Sequence, residues 1–217
     1  MELRTLADTA ATDELLPKIA AGDAAAFVAL FERRRLEVFR FALQMTGSPA
    51  VAEDVTQEVF LAVIGDAARY EPGRSTERAW LCGIARNHVR RHADRERPTI
   101  GLAEDDASEL PQTAETALWD PVNSLVRDER VEALRRAVAS LPLHYREAVV
   151  LCDLQELSYA DAAAALGCAI GTVRSRLSRA RALLAAKLGP ARAAGAPAAG
   201  DGVATLERAA AGVRCAI

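Results

Sequence analysis

Thr172, Arg174, Ser175, Ser178 and Arg179 crowd into one short stretch of the chain, and together they have the chemistry needed to read a polyanion. Arginine can pair bidentately with guanine in the major groove, while serine and threonine bond bases or phosphates. If residues 170–188 are helical, about 100° of rotation per residue puts Ile170, Val173, Leu177, Ala180, Leu184 and Leu188 on one stripe. The five polar residues then point away from it. The charged residues of this stretch are Arg174, Arg176, Arg179, Arg181 and Lys187, with no acid among them, in a chain of formal net charge -3. Such segregation favours DNA over the simpler reading of a solvated arginine-rich face.

The elements that must position this face lie just upstream. Ser158 followed by Asp161 resembles a capping box, and Ala160, Ala163, Ala164 and Leu166 give a short helix a small apolar face. Gly167 allows the chain to turn sharply before Ile170. A short helix, a glycine turn and a longer amphipathic basic helix make a helix-turn-helix. Arg127 to Ser140, with Val131, Leu134 and Val138, and a second helix from Pro142 through Leu154 brace it. Ala169, at the start of the basic helix, offers no capping side chain.

The amino-terminal part reads as a separate helical unit. Asp13 to Ala20 predicts a short helix carrying Leu15, Leu16 and Ile19, ended by Gly22. Asp23 caps a long core helix from Ala24 to Met45, which Gly47 stops. Ser48 and Pro49 open a helix to about Asp66, with Val51, Val55, Val59 and Ala62 facing the core. Asp54, Gln57, Phe60 and Leu61 share its other side, where an exposed Phe-Leu pair predicts a docking surface; the alternative is that another helix covers Phe60. After a loop with Tyr70, Pro72 and Gly73, Ser75 caps a helix that buries Trp80, Leu81, Ile84, Ala85 and Val89. Arg78, Arg86, Asn87, Arg90 and Arg91 lie around the remainder. An aromatic loop beside a basic helix suits unpaired DNA, whose bases stack while arginines follow the phosphates.

At 217 residues, 51% hydrophobic and 26% charged, with only 5% aromatics and abundant alanine and leucine, the composition predicts an all-α protein. Two small helical domains, 1–97 and 127–188, are joined by a flexible acidic linker, 98–126, and the second contains the helix-turn-helix. The linker carries Glu104, Asp105, Asp106, Glu109, Glu115 and Asp120, is interrupted by Pro111 and Pro121, and has no lysine or arginine. Residues 189–217 read as a mobile tail rich in alanine, glycine and proline. No apolar run reaches the roughly 18 residues of a membrane span, and the amino terminus lacks a signal peptide's apolar core, so the expectation is a cytoplasmic protein without membrane insertion. Cys82, Cys152, Cys168 and Cys215 are scattered as reduced thiols. His88 and His92 are four apart on one predicted helix, but no nearby acid or cysteine completes a convincing ligand set. No metal, no cofactor and no catalytic residue is expected.

The segments LSYADAAAALG and GTVRSRLSRAR resemble the region-four domain of the extracytoplasmic-function class of bacterial RNA polymerase sigma factors. AEDVTQEVF, Ala52 to Phe60, resembles the region-two helix that grips the polymerase clamp, and AWLCGIARNHVRRH, Ala79 to His92, resembles the segment that melts and holds the minus-ten element. The resemblance implies a promoter-specificity subunit of RNA polymerase, with no enzyme activity of its own, of the kind used in stress responses. It nominates Thr172, Arg174, Ser175, Ser178 and Arg179 for the minus-thirty-five duplex. Tyr70, Arg86, Asn87, Arg90 and Arg91 are nominated for the melted non-template strand, and Asp54, Gln57, Glu58 and Phe60 for core polymerase. It also implies an anti-sigma partner and a linker near the RNA exit path. The chain departs from the family pattern at Glu77, commonly Phe; Glu156, commonly Gly; Cys152, basic in some relatives; Ala169, commonly Ser or Pro; and Ile64-Gly65, near a frequent Trp. The competing readings are a stand-alone helix-turn-helix repressor or activator and, last, a metal-dependent hydrolase using His88 and His92.

Overall fold

The structure, a computed structural model, describes residues 15–96 and 129–189. Asp13, Arg127, the acidic linker and the tail with Cys215 lie outside the described residues. Every regular element among the described residues is helical. Helix α1 spans Leu15–Ala20, α2 Ala24–Thr46, α3 Pro49–Asp66 and α4 Glu77–Glu96, with a 3₁₀ turn at Ala67–Arg69. The second group comprises α5 Glu129–Ala139, α6 Leu143–Val149, α7 Tyr159–Leu166 and α8 Ile170–Leu188.

Local chemistry sets most of these boundaries. The Asp23 carboxylate accepts from the backbone N–H groups of Ala25 and Ala26, and the Ser48 hydroxyl accepts from Val51 with Pro49 in the first turn. Gly47 ends α2 at φ 72°, a conformation that costs glycine nothing. The cap of α4 is Thr76, one residue beyond the expected Ser75: its carbonyl takes the Trp80 N–H and its hydroxyl the Ala79 N–H.

In the amino-terminal bundle α2 packs on α3 and α4 around Leu30, Phe41, Met45, Val59 and Leu81, while α1 inserts Leu16 and Ile19. Glu77 is wholly buried here, and the Arg34 Nε donates to its Oε1 at 2.9 Å. A buried carboxylate persists only when paired, so this ion pair fills the place where the resembled family commonly has an aromatic. Trp80 and Ile84 are half-buried instead of central, and the inner stripe of α4 is Leu81, Cys82, Ala85 and Val89.

The carboxy-terminal bundle begins with α5 and α6. The latter widens into a π-helical turn over Val150–Leu154, closed by the Gln155 N–H on the Val150 carbonyl at 2.8 Å. Glu156 follows at φ 55°, the left-handed region. That conformation accounts for the glycine common there in the resembled family. Helix α7 buries Ala162, Ala163, Ala165 and Leu166, so the expected inward residues Ala160 and Ala164 are in fact exposed.

The two bundles share one continuous apolar core, with α4 lying against α7 and α2 against α5 and the π turn. A Cβ added at Gly83 of α4 would stand 3.5 Å from the Ala165 carbonyl oxygen of α7, at ordinary contact distance. Polar bonds cross the same seam. Arg146, almost completely buried, donates to the Met45 carbonyl at 2.8 Å and also to the carbonyls of Leu141 and Ala139. The burial lowers its pKa to about 10. Gln155 bridges Gln44 at 2.9 Å and Arg78 at 3.2 Å.

Candidate nucleic-acid interface

The helix-turn-helix is α7, the Gly167 turn at φ 64° and α8. The Ser158 hydroxyl accepts the Asp161 N–H at 3.0 Å and donates to the Asp161 carboxylate at 2.7 Å. The other Asp161 oxygen accepts both the hydroxyl and the N–H of Thr76, at 3.0 and 3.3 Å, joining the caps of α7 and α4. Helix α8 buries Val173, Leu177, Ala180 and Leu184, while Ile170 at its start is exposed. Arg174, Ser175, Ser178 and Arg179 are exposed on the opposite side and Thr172 is half-buried beside them. The face expected to meet duplex DNA is therefore brought together on one rigid helix. Ala169 stands at the N-cap with no side-chain hydrogen bond.

Two neighbours of this face escaped sequence reasoning. The Arg174 guanidinium carbon lies 5.7 Å from the centroid of the Tyr159 ring. Arg181 is clamped by Asp153 through bonds of 3.1 and 2.6 Å. Those hydrogen bonds hold its pKa above the ordinary arginine range, and Tyr159 contributes. Asp153 lies 28 residues earlier, in the π turn, so no local pattern in the sequence marks the pair.

The second expected set is brought together only in part. Asn87, Arg90 and Arg91 are exposed along α4. Arg86 instead donates through Nε to Oε1 of Glu147 at 2.7 Å, on a carboxylate only 1% exposed, with Arg90 at 3.8 Å from the same oxygen. An arginine in such a pair reaches DNA only after the pair opens. Tyr70 corrects the expectation of an available loop aromatic: it is 6% exposed, stacks edge-on against Trp80 at 5.7 Å and donates its hydroxyl to the Ser75 carbonyl at 3.0 Å. Its energy goes into anchoring the loop.

Phe60 requires the same correction. It is 3% exposed, covered by Phe31 at 4.9 Å and Phe27 at 6.4 Å between ring centroids. The covering helix is α2, so the alternative weighed for Phe60 is the observed one. Asp54 and Gln57 are exposed, and they continue along α3 into Leu61, 69% exposed, and Ile64, 60% exposed. This spacing makes one solvent-facing stripe. Glu58 turns towards α4, where its Oε2 lies 2.7 Å from the His88 Nδ1 and 3.6 Å from the His92 Nε2. An acid does reach the two histidines, but across helices where spacing in sequence could not reveal it. Among the described residues no group of three His, Cys, Asp or Glu side chains is arranged to hold a metal.

Cys82, Cys152 and Cys168 are free thiols among the described residues. Burial raises Cys82 to about 12 and Cys152 to about 11, so neither is a nucleophile near neutral pH. No helix among the described residues is long and apolar enough to cross a membrane.

The two all-helical bundles thus carry an acid-free basic helix in a helix-turn-helix on one and an exposed stripe of Asp54, Gln57, Leu61 and Ile64 on the other. Comparison with known proteins gives the family. Residues 30–99 match the family described as Sigma-70 region 2, and residues 131–184 that described as Sigma-70, region 4. The chain is similar to the ECF RNA polymerase sigma factor SigC of Mycobacterium tuberculosis, 35% identical over 190 residues that cover 86% of this chain and 96% of the relative. It is also 33% identical to the ECF RNA polymerase sigma factor EcfG of Rhodopseudomonas palustris over 150 residues, 68% of this chain and 77% of that one. Two solved structures share the fold. CnrH in complex with the cytosolic domain of CnrY matches with a TM-score of 0.60 and 27% identity, over 82% of this chain and 97% of that one. The sigma factor RpoE in complex with the anti-sigma factor NepR, from Bartonella quintana, matches at 0.58 and 28%, over 76% and 98%. The chain belongs to the extracytoplasmic-function sigma factors of the sigma-70 family.

Proposed function

We propose that this chain directs core RNA polymerase to specific promoters and helps to open the minus-ten element. The observation that carries this reading is the exposed Arg174, Ser175, Ser178 and Arg179 face, with half-buried Thr172 beside it, on a helix-turn-helix, in a chain whose other bundle presents Asp54 and Gln57 beside exposed leucine and isoleucine. The first face suits the minus-thirty-five duplex. Asn87, Arg90 and Arg91 suit the phosphates of the melted non-template strand, joined by Arg86 once Glu147 releases it.

Residues 1–97 act in this reading as the polymerase-binding and minus-ten domain, 98–126 as an acidic linker, 127–188 as the minus-thirty-five domain and 189–217 as a tail. Asp54 and Gln57 contact polymerase directly, with Leu61 and Ile64 as the apolar anchors. Phe60 and Glu58 support that face from behind, and Tyr70 shapes the minus-ten loop from within. The protein works in the cytoplasm as a binding subunit without catalysis of its own. An anti-sigma protein is its expected regulator, by kinship with relatives that have been solved with such partners.

Linked weak sites gain affinity only when geometry permits simultaneous engagement, so the free chain should bind promoter duplex poorly. Run-off transcription with core polymerase, alongside a gel shift with the chain alone, tests the reading. Specific transcripts with polymerase and weak binding without it support it. Tight sequence-specific duplex binding without polymerase, and no transcript with it, would establish a stand-alone repressor or activator instead.

A further inference from the structure

Arg174 and Arg181 lie two turns apart on α8, and each has a partner of a different kind. Asp153 fixes Arg181 with two hydrogen bonds and thereby removes it from competition for DNA. Among the described residues no carboxylate pairs with Arg174; its guanidinium lies instead over the Tyr159 ring. Tyr159 is the first residue of α7, immediately after the Ser158 cap, and is partly exposed. Its backbone is thus held by the capped start of one helix while its ring meets the side chain of another.

We propose that Tyr159 is a positioning residue for promoter readout, its ring holding the Arg174 guanidinium in the orientation from which it reads a base pair of the minus-thirty-five element. The inference rests on the reading of this chain as a sigma factor. A long arginine side chain that reads guanine bidentately must present both of its donors in one plane. A cation–π contact with an aromatic face limits the orientations the guanidinium samples before DNA arrives, and a planar guanidinium suits it better than a lysine ammonium. The helix carrying the ring thereby contributes to specificity without touching a base.

The test uses the full chain with core polymerase and run-off transcription from a parent promoter and from a set each changed at one minus-thirty-five base pair. Tyr159→Leu, Tyr159→Phe and Arg174→Ala are compared, with the Tyr159→Leu/Arg174→Ala double variant. Tyr159→Leu should lose about two- to five-fold of the discrimination at the same base pair that Arg174→Ala affects, the range expected of a cation–π contact at an exposed site. Tyr159→Phe keeps the ring and should retain the wild-type preference. The double variant should be no less selective than Arg174→Ala alone. Equal loss in Tyr159→Phe overturns the proposal in favour of a direct hydroxyl contact. A uniform fall at every promoter in Tyr159→Leu overturns it in favour of a structural role. If the wild-type chain yields no promoter-specific transcript, it is the sigma reading that fails, and the positioning role falls with it.

Discussion

The Nε of Arg86 and the Oε1 of Glu147 stand 2.7 Å apart, and the two residues come from opposite bundles. Glu147 is nearly inaccessible and Arg86 mostly so. Removing one partner of such a pair strands the other, at a cost of about 3–5 kcal/mol if the bundles remain together. Arg86→Ala should therefore lower the melting temperature more than Arg86→Ala/Glu147→Gln does. Thermal denaturation of the two single variants and the double variant gives the coupling directly. Additive losses would show that the pair contributes nothing specific.

Phe60 and Leu61 are neighbours in sequence with opposite roles. Phe60→Ala deletes a covered ring and should cost about 3–5 kcal/mol of stability. Leu61→Ala should change stability by less than about 0.5 kcal/mol, yet weaken binding to core polymerase. Paired measurements of unfolding and of polymerase affinity separate these effects. A normal polymerase affinity in Leu61→Ala would remove this stripe from the interface.

Glu156 holds a left-handed backbone conformation that costs a side-chain-bearing residue roughly 1–2 kcal/mol. Glycine relieves it, although its freer unfolded chain returns part of the gain. Glu156→Gly should raise stability by up to about 1 kcal/mol, read as a shift in the denaturation midpoint at unchanged slope.

Ala169 occupies the N-cap of α8 in extended conformation, with no side-chain acceptor for the first N–H groups. Ala169→Ser supplies one and should add up to about 1 kcal/mol. Promoter preference should stay as it is, because Thr172 and Arg174 keep their places. Melting curves and run-off transcription check the two halves of this expectation.

Burial pushes the Cys82 thiol up to about 12 from an ordinary value near 9. The unfolded chain releases this proton first, so the thiol's contribution is fully present below about pH 9 and is lost as pH rises towards 12. The slope is about 1.4 kcal/mol per pH unit. Arg146, lowered to about 10, acts in the opposite direction above that pH. Comparison of Cys82→Ala with wild type isolates the thiol: the variant should lose stability less steeply across that window.

Features that depend on a few adjacent residues were legible in the sequence. Asp23, Ser48, Ser158, Gly47 and Gly167 mark helix ends because a cap or a left-handed turn is decided locally. The exposed polar face of α8 was legible as well, since Val173, Leu177 and Leu184 contrast sharply with the arginines between them. The alanine run of α7 lacked such contrast, and the phase read there was wrong. The accessibility expected of Phe60, Tyr70 and Arg86 differs from the observed one for another reason. Their partners Phe31, Trp80 and Glu147 belong to other helices, and no periodicity within a single helix reports them. Glu58 beside His88 is a further case of proximity created by packing alone.

The Asp161 carboxylate takes the Thr76 N–H and hydroxyl on one oxygen and the Ser158 hydroxyl on the other. The first turn of α4 is consequently tethered to a residue of the opposite bundle, and any motion that draws the bundles apart hands the Thr76 amide to solvent. Its proton then becomes free to trade with deuterium. The exchange lifetime of that single amide is a clock for how often the two halves of the protein let go of each other.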